Sequence, residues 1–195
     1  MPVTADPSVP SAGESLRVVV DAQIVLSMFL VRRDRPTESP TKRLLLRMLP
    51  LPTFHWLWTP DILADYERGA LAIEQDTRIM RRAAFDRTGF QLLLAALQLH
   101  PPVPMSVTTL REVRRQISQA AHARQRDLDD AIYLACALDG GAQILTSNDA
   151  TLLGLGSPYA GVQIVPWQTF VEELRARGLS PLTPEGECPT QPRNQ

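Results

Sequence analysis

Short apolar runs alternate along the chain with longer stretches in which apolar residues recur every three or four positions. Four runs, at residues 16–20 (LRVVV), 54–58 (FHWLW), 142–146 (AQILT) and 161–165 (GVQIV), predict buried strands. The stretches between them predict helices. Because buried strands that alternate with helices are typical of α/β proteins, the pattern predicts a three-layer α/β/α fold with a central, mainly parallel sheet.

Two of the predicted helices begin with capping signals. Ser39-Pro40 and Thr59-Pro60 each place an N-cap residue before a first-turn proline, which predicts helices over 40–49 and 60–75. Gly140-Gly141 predicts the end of another helix. The remaining predictions are helices over 22–31, 76–99 with an interruption near Gly89, 109–123, 128–138 and 166–177, a polar loop over 32–41, and a strand over 103–107.

Both ends of the 195-residue chain differ from its middle in composition. Residues 1–15 and 179–195 are rich in proline and in small or polar residues, which predicts disordered tails. The folded part is therefore predicted to be one domain over 16–178, which is a usual domain length.

The cysteines and the apolar runs bear on the compartment. Cys136 in an apolar helical run and Cys188 near the C-terminus make neither a disulfide framework nor a zinc site. The N-terminal residues lack the basic and apolar regions of a signal peptide, and no apolar run approaches the roughly 20 residues that span a bilayer. We therefore expect a cytoplasmic protein without membrane association.

Four aspartates lie where predicted strands and helices meet. Asp21 directly follows the first strand, and Asp149 lies three residues after the AQILT strand. Asp130 is in the first turn of the helix before that strand, and Asp65 is on the helix after FHWLW. Because ligands bind beyond the carboxyl ends of parallel strands, we expect these acids at one edge of the sheet. Each acid taken alone is also explained as a turn, cap or solvated helix residue.

Clustered carboxylates indicate a particular chemistry. Without basic partners they repel one another unless a cation is present. Hard cations such as Mg²⁺ or Mn²⁺ take oxygen ligands, and Mg²⁺ keeps several of its waters. Such ions stabilise charge and activate water during phosphodiester hydrolysis. The four acids together therefore predict metal-dependent phosphodiester chemistry.

Four segments carry a family likeness. They are VVVDAQIVLSMFL (18–30), TPDILADYERGA (59–70), RDLDDAIYLACALDGGAQILTSNDATLLGL (126–155) and GVQIVPWQTFVEEL (161–174). Together they resemble the PIN domain family, in particular its toxin-component branch, and are similar to VapC-type ribonucleases. The 126–155 block is the most specific of the four, with an acid, a small-residue helix, a glycine pair, a strand, a threonine and a further acid in order.

The resemblance implies roles by position. Its catalytic acids would be Asp21, Asp65, Asp130 and Asp149, with Asp21, Asp130 and Asp149 as metal ligands. Thr146 would hydrogen-bond around the site. Glu67 is an alternate for Asp65, and Asp127 and Asp129 are neighbours of Asp130. Two residues separate Thr146 from Asp149, where the family more often has one, so Asn148 and Asp149 both stay candidates for the fourth position.

The same resemblance implies a function. We expect a metal-dependent endoribonuclease of PIN type that uses Mg²⁺ or Mn²⁺ and hydrolyses RNA. It further implies the toxin of a toxin–antitoxin pair, with an antitoxin protein as partner and a homodimer as assembly. Two alternatives stay open: a DNA or structure-selective PIN nuclease, and a catalytically degenerate module that binds nucleic acid.

Basic residues near the acids are candidates for substrate contacts. All but one of the 20 basic residues are Arg, and the net charge of −1 gives no support of its own to a nucleic-acid binder. A planar guanidinium matches phosphate oxygens. The candidates are Arg32, Arg33, Arg35, Lys42 and Arg43 after the first helix, and Arg124 and Arg126 before the third acid. A solvated polar loop is the alternative explanation.

Overall fold

A four-stranded parallel sheet forms the centre of the protein in a computed structural model. The structure describes residues 15–34, 39–119 and 128–178. The sheet contains β1 (Leu16–Val20), β3 (Phe54–Trp56), β5 (Ile144–Thr146) and β6 (Gln163–Val165), in the order β3-β1-β5-β6. Helices flank it. The predicted α/β class with a central parallel sheet is therefore confirmed. Strand β1 has the predicted bounds, and the other three strands are each two residues shorter than predicted.

A short antiparallel ribbon and a series of helices complete the described fold. The ribbon pairs β2 (Leu30–Arg32) with β4 (Ala83–Phe85). The helices are α1 (Ala22–Met28), α2 (Pro40–Met48), α3 (Pro60–Gln75), α4 (Thr77–Arg82), α5 (Arg87–Leu97), α6 (Val107–Gln119), α7 (Ala131–Asp139), α8 (Ala150–Gly154) and α9 (Trp167–Ala176).

The middle of the sheet is the most deeply buried part of the protein. Every residue of β5 is buried, and in β1 only Arg17 is exposed. The first seven residues of α7, 131–137, are all buried, and this helix packs against both strands. A strand with neighbours on both edges and cover on its faces has apolar side chains on both sides, which explains the unbroken VVV run of β1.

The caps predicted for the helices are partly present. The Thr59 hydroxyl accepts a hydrogen bond from the Ile62 amide at 3.2 Å, as expected for the N-cap of α3. Ser39 makes no such bond at the start of α2, where Pro40 alone marks the first turn. Helix α7 ends at the glycine pair, and Gly141 has a φ of +59°, a conformation that glycine adopts without a steric penalty.

The chain leaves β1 and β5 in opposite directions. From β1 it passes to β3 on one side, and from β5 it passes to β6 on the other, although β1 and β5 are neighbours. Val20 is paired with Thr146 at the carboxyl ends of the two strands, so the residues that follow them start side by side. This is the topological switch point at which open α/β sheets bind ligands.

The β2–β4 ribbon corrects two predictions. The helix predicted over 22–31 ends at Met28, because Leu30–Arg32 pairs with Ala83–Phe85. The helix predicted over 76–99 is broken by the same pairing at 83–85, and Gly89 lies inside α5. Pairing between segments about fifty residues apart leaves no local signal, and the apolar spacing of both segments was compatible with helix.

Two further predictions differ from the structure. Residues 103–107 are not a strand: 101–106 are irregular, and α6 begins at Val107. The Val103 amide instead donates to the Trp58 carbonyl at 2.8 Å, which ties this segment to the end of β3 without forming a ladder. The predicted tails at 1–15 and 179–195 lie outside the described residues apart from Ser15. Among the described helices, none is long and apolar enough to cross a membrane.

Replacing Leu145 by alanine tests the central position of β5. Leu145 is fully buried, so Leu145→Ala is expected to lower the free energy of unfolding by about 2–5 kcal/mol. The control is Leu71→Ala on α3, where the leucine is 51% exposed and the expected change is below about 0.5 kcal/mol. Urea denaturation measures both, and equal losses for the two variants would contradict the described sheet.

Candidate functional site

Asp21 lies at the junction between β1 and α1 and is the most buried acid of the region. Its side chain is the N-cap of α1 and accepts a hydrogen bond from the Gln23 amide at 3.1 Å. Its amide donates to the Thr146 carbonyl at 3.0 Å, which joins it to the end of β5. Only 2% of its surface is exposed. The strand end, the helix start and the neighbouring strand thus fix this carboxylate in one position.

Ser147 connects the loop after β5 to this carboxylate. Its hydroxyl donates a hydrogen bond to Asp21 Oδ2 and accepts one from the Asp149 amide at 2.9 Å. The serine is fully buried, and its own amide donates to the Val165 carbonyl of β6 at 3.0 Å. Sequence reasoning missed Ser147. The available signal was its place directly after β5, which matches the place of Asp21 directly after β1.

Asp149 and Asn148 point to different partners. The Asp149 side chain is the N-cap of α8, and its Oδ1 accepts from the amides of Thr151 at 2.8 Å and Leu152 at 3.1 Å. The Asn148 Oδ1 accepts from the Trp167 amide at 3.2 Å, at the start of α9. Of the two candidates for the fourth acidic position, Asp149 is the one whose charge acts on Asp21.

Asp65 is held on α3 by two donors. Tyr133 on α7 donates its hydroxyl hydrogen to Asp65 Oδ2, and Arg68 donates to Oδ1 at 2.8 Å. Burial raises the pKa of the Tyr133 hydroxyl far above its ordinary range, so the tyrosine stays protonated and remains a donor. Sequence reasoning also missed Tyr133, because its contact with Asp65 joins positions 68 residues apart.

Two stacked tyrosines, Tyr66 on α3 and Tyr133 on α7, pack next to the end of β1. The rings of Tyr66 and Tyr133 lie 6.3 Å apart between centroids with an interplanar angle of 24°. The Tyr66 hydroxyl donates to the Val20 carbonyl, one residue before Asp21. Helix α3 is therefore tied to the end of β1 by a hydrogen bond, and α7 is joined to α3 by the ring stacking and by the hydrogen bond from Tyr133 to Asp65.

Three carboxylates share one electrostatic environment. Burial raises the pKa of Asp21 above its ordinary value, and the charges of Asp149 and Asp65 raise it further. The hydrogen bonds from Ser147 and Gln23 act in the opposite direction and favour the ionised form. The charges of Asp65 and Asp149, which were predicted from separate parts of the sequence, thus both act on Asp21.

The other predicted acids differ from Asp21 in burial. Asp130 is half-buried directly before α7, and its carbonyl accepts from the Tyr133 amide at 3.1 Å. Glu67 and Asp129 are exposed, and Asp127 lies outside the described residues. Thr146 is fully buried, and its hydroxyl has no hydrogen-bond partner within the described part of the chain. In the described structure Ser147, rather than Thr146, is the hydroxyl that reaches Asp21.

The predicted basic contacts divide into three groups. Lys42 forms an ion pair with Asp86 at 2.6 Å and lies over the Phe29 ring, so it joins α2 to the start of α5. Arg32 pairs with Asp34, while Arg33 and Arg43 are exposed. Arg35, Arg124 and Arg126 lie outside the described residues.

The donors of the site suit a hard divalent cation. They are carboxylate and hydroxyl oxygens, the ligand type that Mg²⁺ and Mn²⁺ prefer. The pKa of Asp21 is raised first by burial and further by the charges of Asp149 and Asp65, and the buried Thr146 hydroxyl has no partner among the described residues. Within 15–34, 39–119 and 128–178, no three acidic, histidine or cysteine side chains converge closely enough to hold an ion by themselves. A cation bound here would therefore keep several waters, as Mg²⁺ usually does.

Comparison with known proteins identifies one match. A family model described as PIN domain matches residues 17–151, which is more than half of the chain. The matched range includes Asp21, Asp65, Asp130 and Asp149. No curated protein and no solved structure matches the chain significantly.

The buried carboxylate predicts a specific dependence of stability on pH. The folded-state pKa of Asp21 is raised, so its contribution to stability is fully present below its unfolded pKa of about 3.8 and is lost as pH rises through the folded value. In EDTA, Asp21→Asn is therefore expected to lose less stability than the wild type between pH 3.5 and pH 7. Thermal unfolding across this range measures the difference.

Glu172→Gln removes the same charge from an exposed position of α9 and controls for net charge. A difference between wild type and Asp21→Asn that does not change with pH would show that Asp21 is not destabilised by its surroundings.

Proposed function

The chain belongs to the PIN domain family, and on that premise we propose that it is a metal-dependent nuclease that hydrolyses phosphodiester bonds in RNA. The observation that carries the proposal is the buried carboxylate of Asp21 at the β1–β5 switch point, with the charges of Asp65 and Asp149 acting on it. A buried acid whose pKa is raised by burial and by neighbouring charges is characteristic of functional sites.

A divalent cation completes the proposed site. Asp21, Asp130 and Asp149 would hold Mg²⁺ or Mn²⁺, with Asp65 as the fourth acid and water molecules as the remaining ligands. When bound, the cation supplies charge neutralisation at the phosphate and an activated water.

The protein's own residues hold these acids in place. Ser147 fixes Asp21 from the β5 loop, and the first turn of α8 fixes Asp149. Tyr133 and Arg68 fix Asp65 from two sides. Such supporting contacts reduce the reorganisation that a reaction requires, because the acids already have defined rotamers before substrate arrives.

The substrate, the biological role, the partners and the cellular location are inferred from the family likeness of the four sequence segments. We infer RNA as the substrate, and a toxin of a toxin–antitoxin pair as the biological role, from the similarity of 18–30, 59–70, 126–155 and 161–174 to the toxin-component branch. An antitoxin protein and a second copy of the chain are the partners that this role implies. Cytoplasmic location belongs to the same proposal.

Cleavage of matched RNA and DNA oligonucleotides tests the proposal directly. The purified protein is expected to cut single-stranded RNA in Mn²⁺ or Mg²⁺ and to be inactive in EDTA. Asp21→Asn is expected to lower the rate by about 100-fold or more, because even residues that only support metal ligands affect activity by 10–100-fold. Gel electrophoresis of end-labelled substrates gives the rates.

Glu172→Gln serves as the control for an equal change in charge and is expected to cleave normally. Cleavage that survives in Asp21→Asn would remove Asp21 from the mechanism. Preferential cleavage of the DNA oligonucleotide would replace the ribonuclease assignment by the DNA or structure-selective nuclease.

A catalytically degenerate binding module is the second candidate function. Two observations favour it: both carboxylate oxygens of Asp65 are engaged, by Tyr133 and Arg68, and no three ligand side chains converge among the described residues. An active site of this kind must still bind its cation, and a degenerate one need not.

Calorimetric titration with Mn²⁺ separates the two candidates. For the nuclease we expect saturable binding, and at a hundredfold excess over Kd a stabilisation of about 2.7 kcal/mol in thermal unfolding. Asp21→Asn is expected to abolish both signals, while Glu172→Gln keeps them. Nucleic-acid binding without any Mn²⁺ binding would favour the degenerate module.

A further inference from the structure

Five arginines lie together on one surface that the acidic site does not include. Arg32 and Arg33 come from the end of β2, and Arg78, Arg81 and Arg82 come from α4. We refer to these five residues as the arginine track. They line two grooves of about 540 Å³ and 350 Å³ that share Arg81 and Arg82. The two grooves therefore adjoin at Arg81 and Arg82.

The β2–β4 ribbon assembles this surface from distant parts of the sequence. Arg32 is the register partner of Ala83, and the Arg33 amide donates to the Arg82 carbonyl at 3.1 Å. Helix α4 ends at Arg82, directly before β4. The pairing of the strands thus carries the end of α4 to the end of β2 and brings their arginines side by side.

Few acidic side chains among the described residues balance the positive charge of the arginine track. Arg32 pairs with Asp34 at 2.7 Å, but both side chains are more than half exposed, and such a surface pair contributes little to stability. In the described part of the chain, no acidic side chain forms an ion pair with Arg33, Arg78, Arg81 or Arg82. Arg78 and Arg82 are four residues apart on one helix, where like charges are destabilising. These side chains are exposed and contribute nothing evident to the fold.

We propose that the arginine track binds the phosphate backbone of single-stranded RNA at a distance from the cleaved bond, an inference that rests on the proposed nuclease function. Guanidinium groups match phosphate oxygens in a planar, bidentate geometry. Two adjoining grooves with several such groups fit a regularly spaced polyanion. Its lining consists mainly of arginines and includes no aromatic side chain that would stack on a base, so the expected binding is independent of sequence.

The separation of track and acidic site indicates which substrate length can reach both. Asp21 begins α1, and β2 follows that helix after Phe29, so Arg32 lies within about 25 Å of Asp21 by the rise of the two elements. At about 3.4 Å per stacked nucleotide, this span corresponds to about seven nucleotides at most. An RNA that extends about seven nucleotides beyond the cleaved bond is therefore long enough to occupy both places.

Binding of a long and a short RNA in EDTA tests the proposal without requiring cleavage. The variant is Arg78→Gln, Arg81→Gln and Arg82→Gln together, and the probes are fluorescent single-stranded RNAs of 20 and 4 nucleotides. We expect the affinity for the longer RNA to fall about tenfold or more, and the slope of log K against log salt to fall by about 2, because three phosphate contacts are lost. The shorter RNA has fewer phosphates to contact the arginines, so the wild type is expected to bind it more weakly than the longer RNA and with a smaller salt slope.

The matched control removes three exposed arginines that line neither of the two grooves. Arg17 is near the start of β1, Arg111 is near the start of α6, and Arg175 is in the last turn of α9; all three are exposed. Arg17→Gln, Arg111→Gln and Arg175→Gln together produce the same change in net charge and are expected to keep the affinity and salt slope of the wild type. Thermal unfolding of both triple variants is expected to match the wild type.

Each other outcome overturns the proposal. An unchanged affinity of the track variant for the longer RNA, or an equal loss in both triple variants, would show that the track does not hold RNA. Displacement of the longer RNA by poly-glutamate at equal charge concentration would assign the track to an acidic protein partner instead. Because these measurements are made in EDTA, they stand apart from the cleavage test: loss of the nuclease assignment leaves the binding result intact, and the reverse also holds.

Discussion

Burial of the Asp21 carboxylate is the constraint on which the candidate site depends. A carboxylate loses most of its hydration when its surface is covered, and its pKa rises accordingly. The Gln23 amide, the Ser147 hydroxyl and the start of α1 offset part of this cost. The charges of Asp65 and Asp149 increase it. An arrangement that adds negative charge around an already buried acid is unfavourable for the isolated protein, and a bound cation would relieve it.

The topology of the sheet makes this arrangement possible. Because β1 and β5 are parallel neighbours whose chains depart in opposite directions, no crossover covers the space beyond their ends. Asp21 and Ser147 each follow a paired strand terminus, Val20 and Thr146, so backbone register brings the two side chains into contact. Asp65 lies in the second turn of α3, which follows β3, and Asp149 is the N-cap of α8, which follows β5. Secondary structure therefore determines the positions of these acids, and loop conformation has a small part.

The sequence predicted those elements whose conformation is set by residues close to one another along the chain. The four strands of the sheet, the α3 cap and the glycine pair after α7 were all visible in the sequence, as was the alternation that predicts the parallel sheet. The β2–β4 ribbon was not, because Leu30 and Phe85 acquire their strand character from each other. Tyr133 was missed for the same reason: its apolar helix predicts a core residue, and only the packing of α7 against α3 reveals its hydroxyl as a donor to Asp65. Ser147 and Arg78 had ordinary local explanations.

The net charge of −1 does not show that acidic and basic residues are grouped on different parts of this protein. At the carboxyl end of β1 the charges of Asp65 and Asp149 act on Asp21, whereas arginines line the grooves beside the β2–β4 ribbon and α4. A polyanion that approaches the acids alone is repelled, and a cation at the acids corrects this only near the reacting phosphate, since exposed charges are screened beyond about 8–10 Å at physiological salt. Attraction of the rest of the strand must then come from protein charges located elsewhere. The separation of the acids from the arginines, rather than the sum of their charges, therefore determines where this protein attracts cations and where it attracts anions.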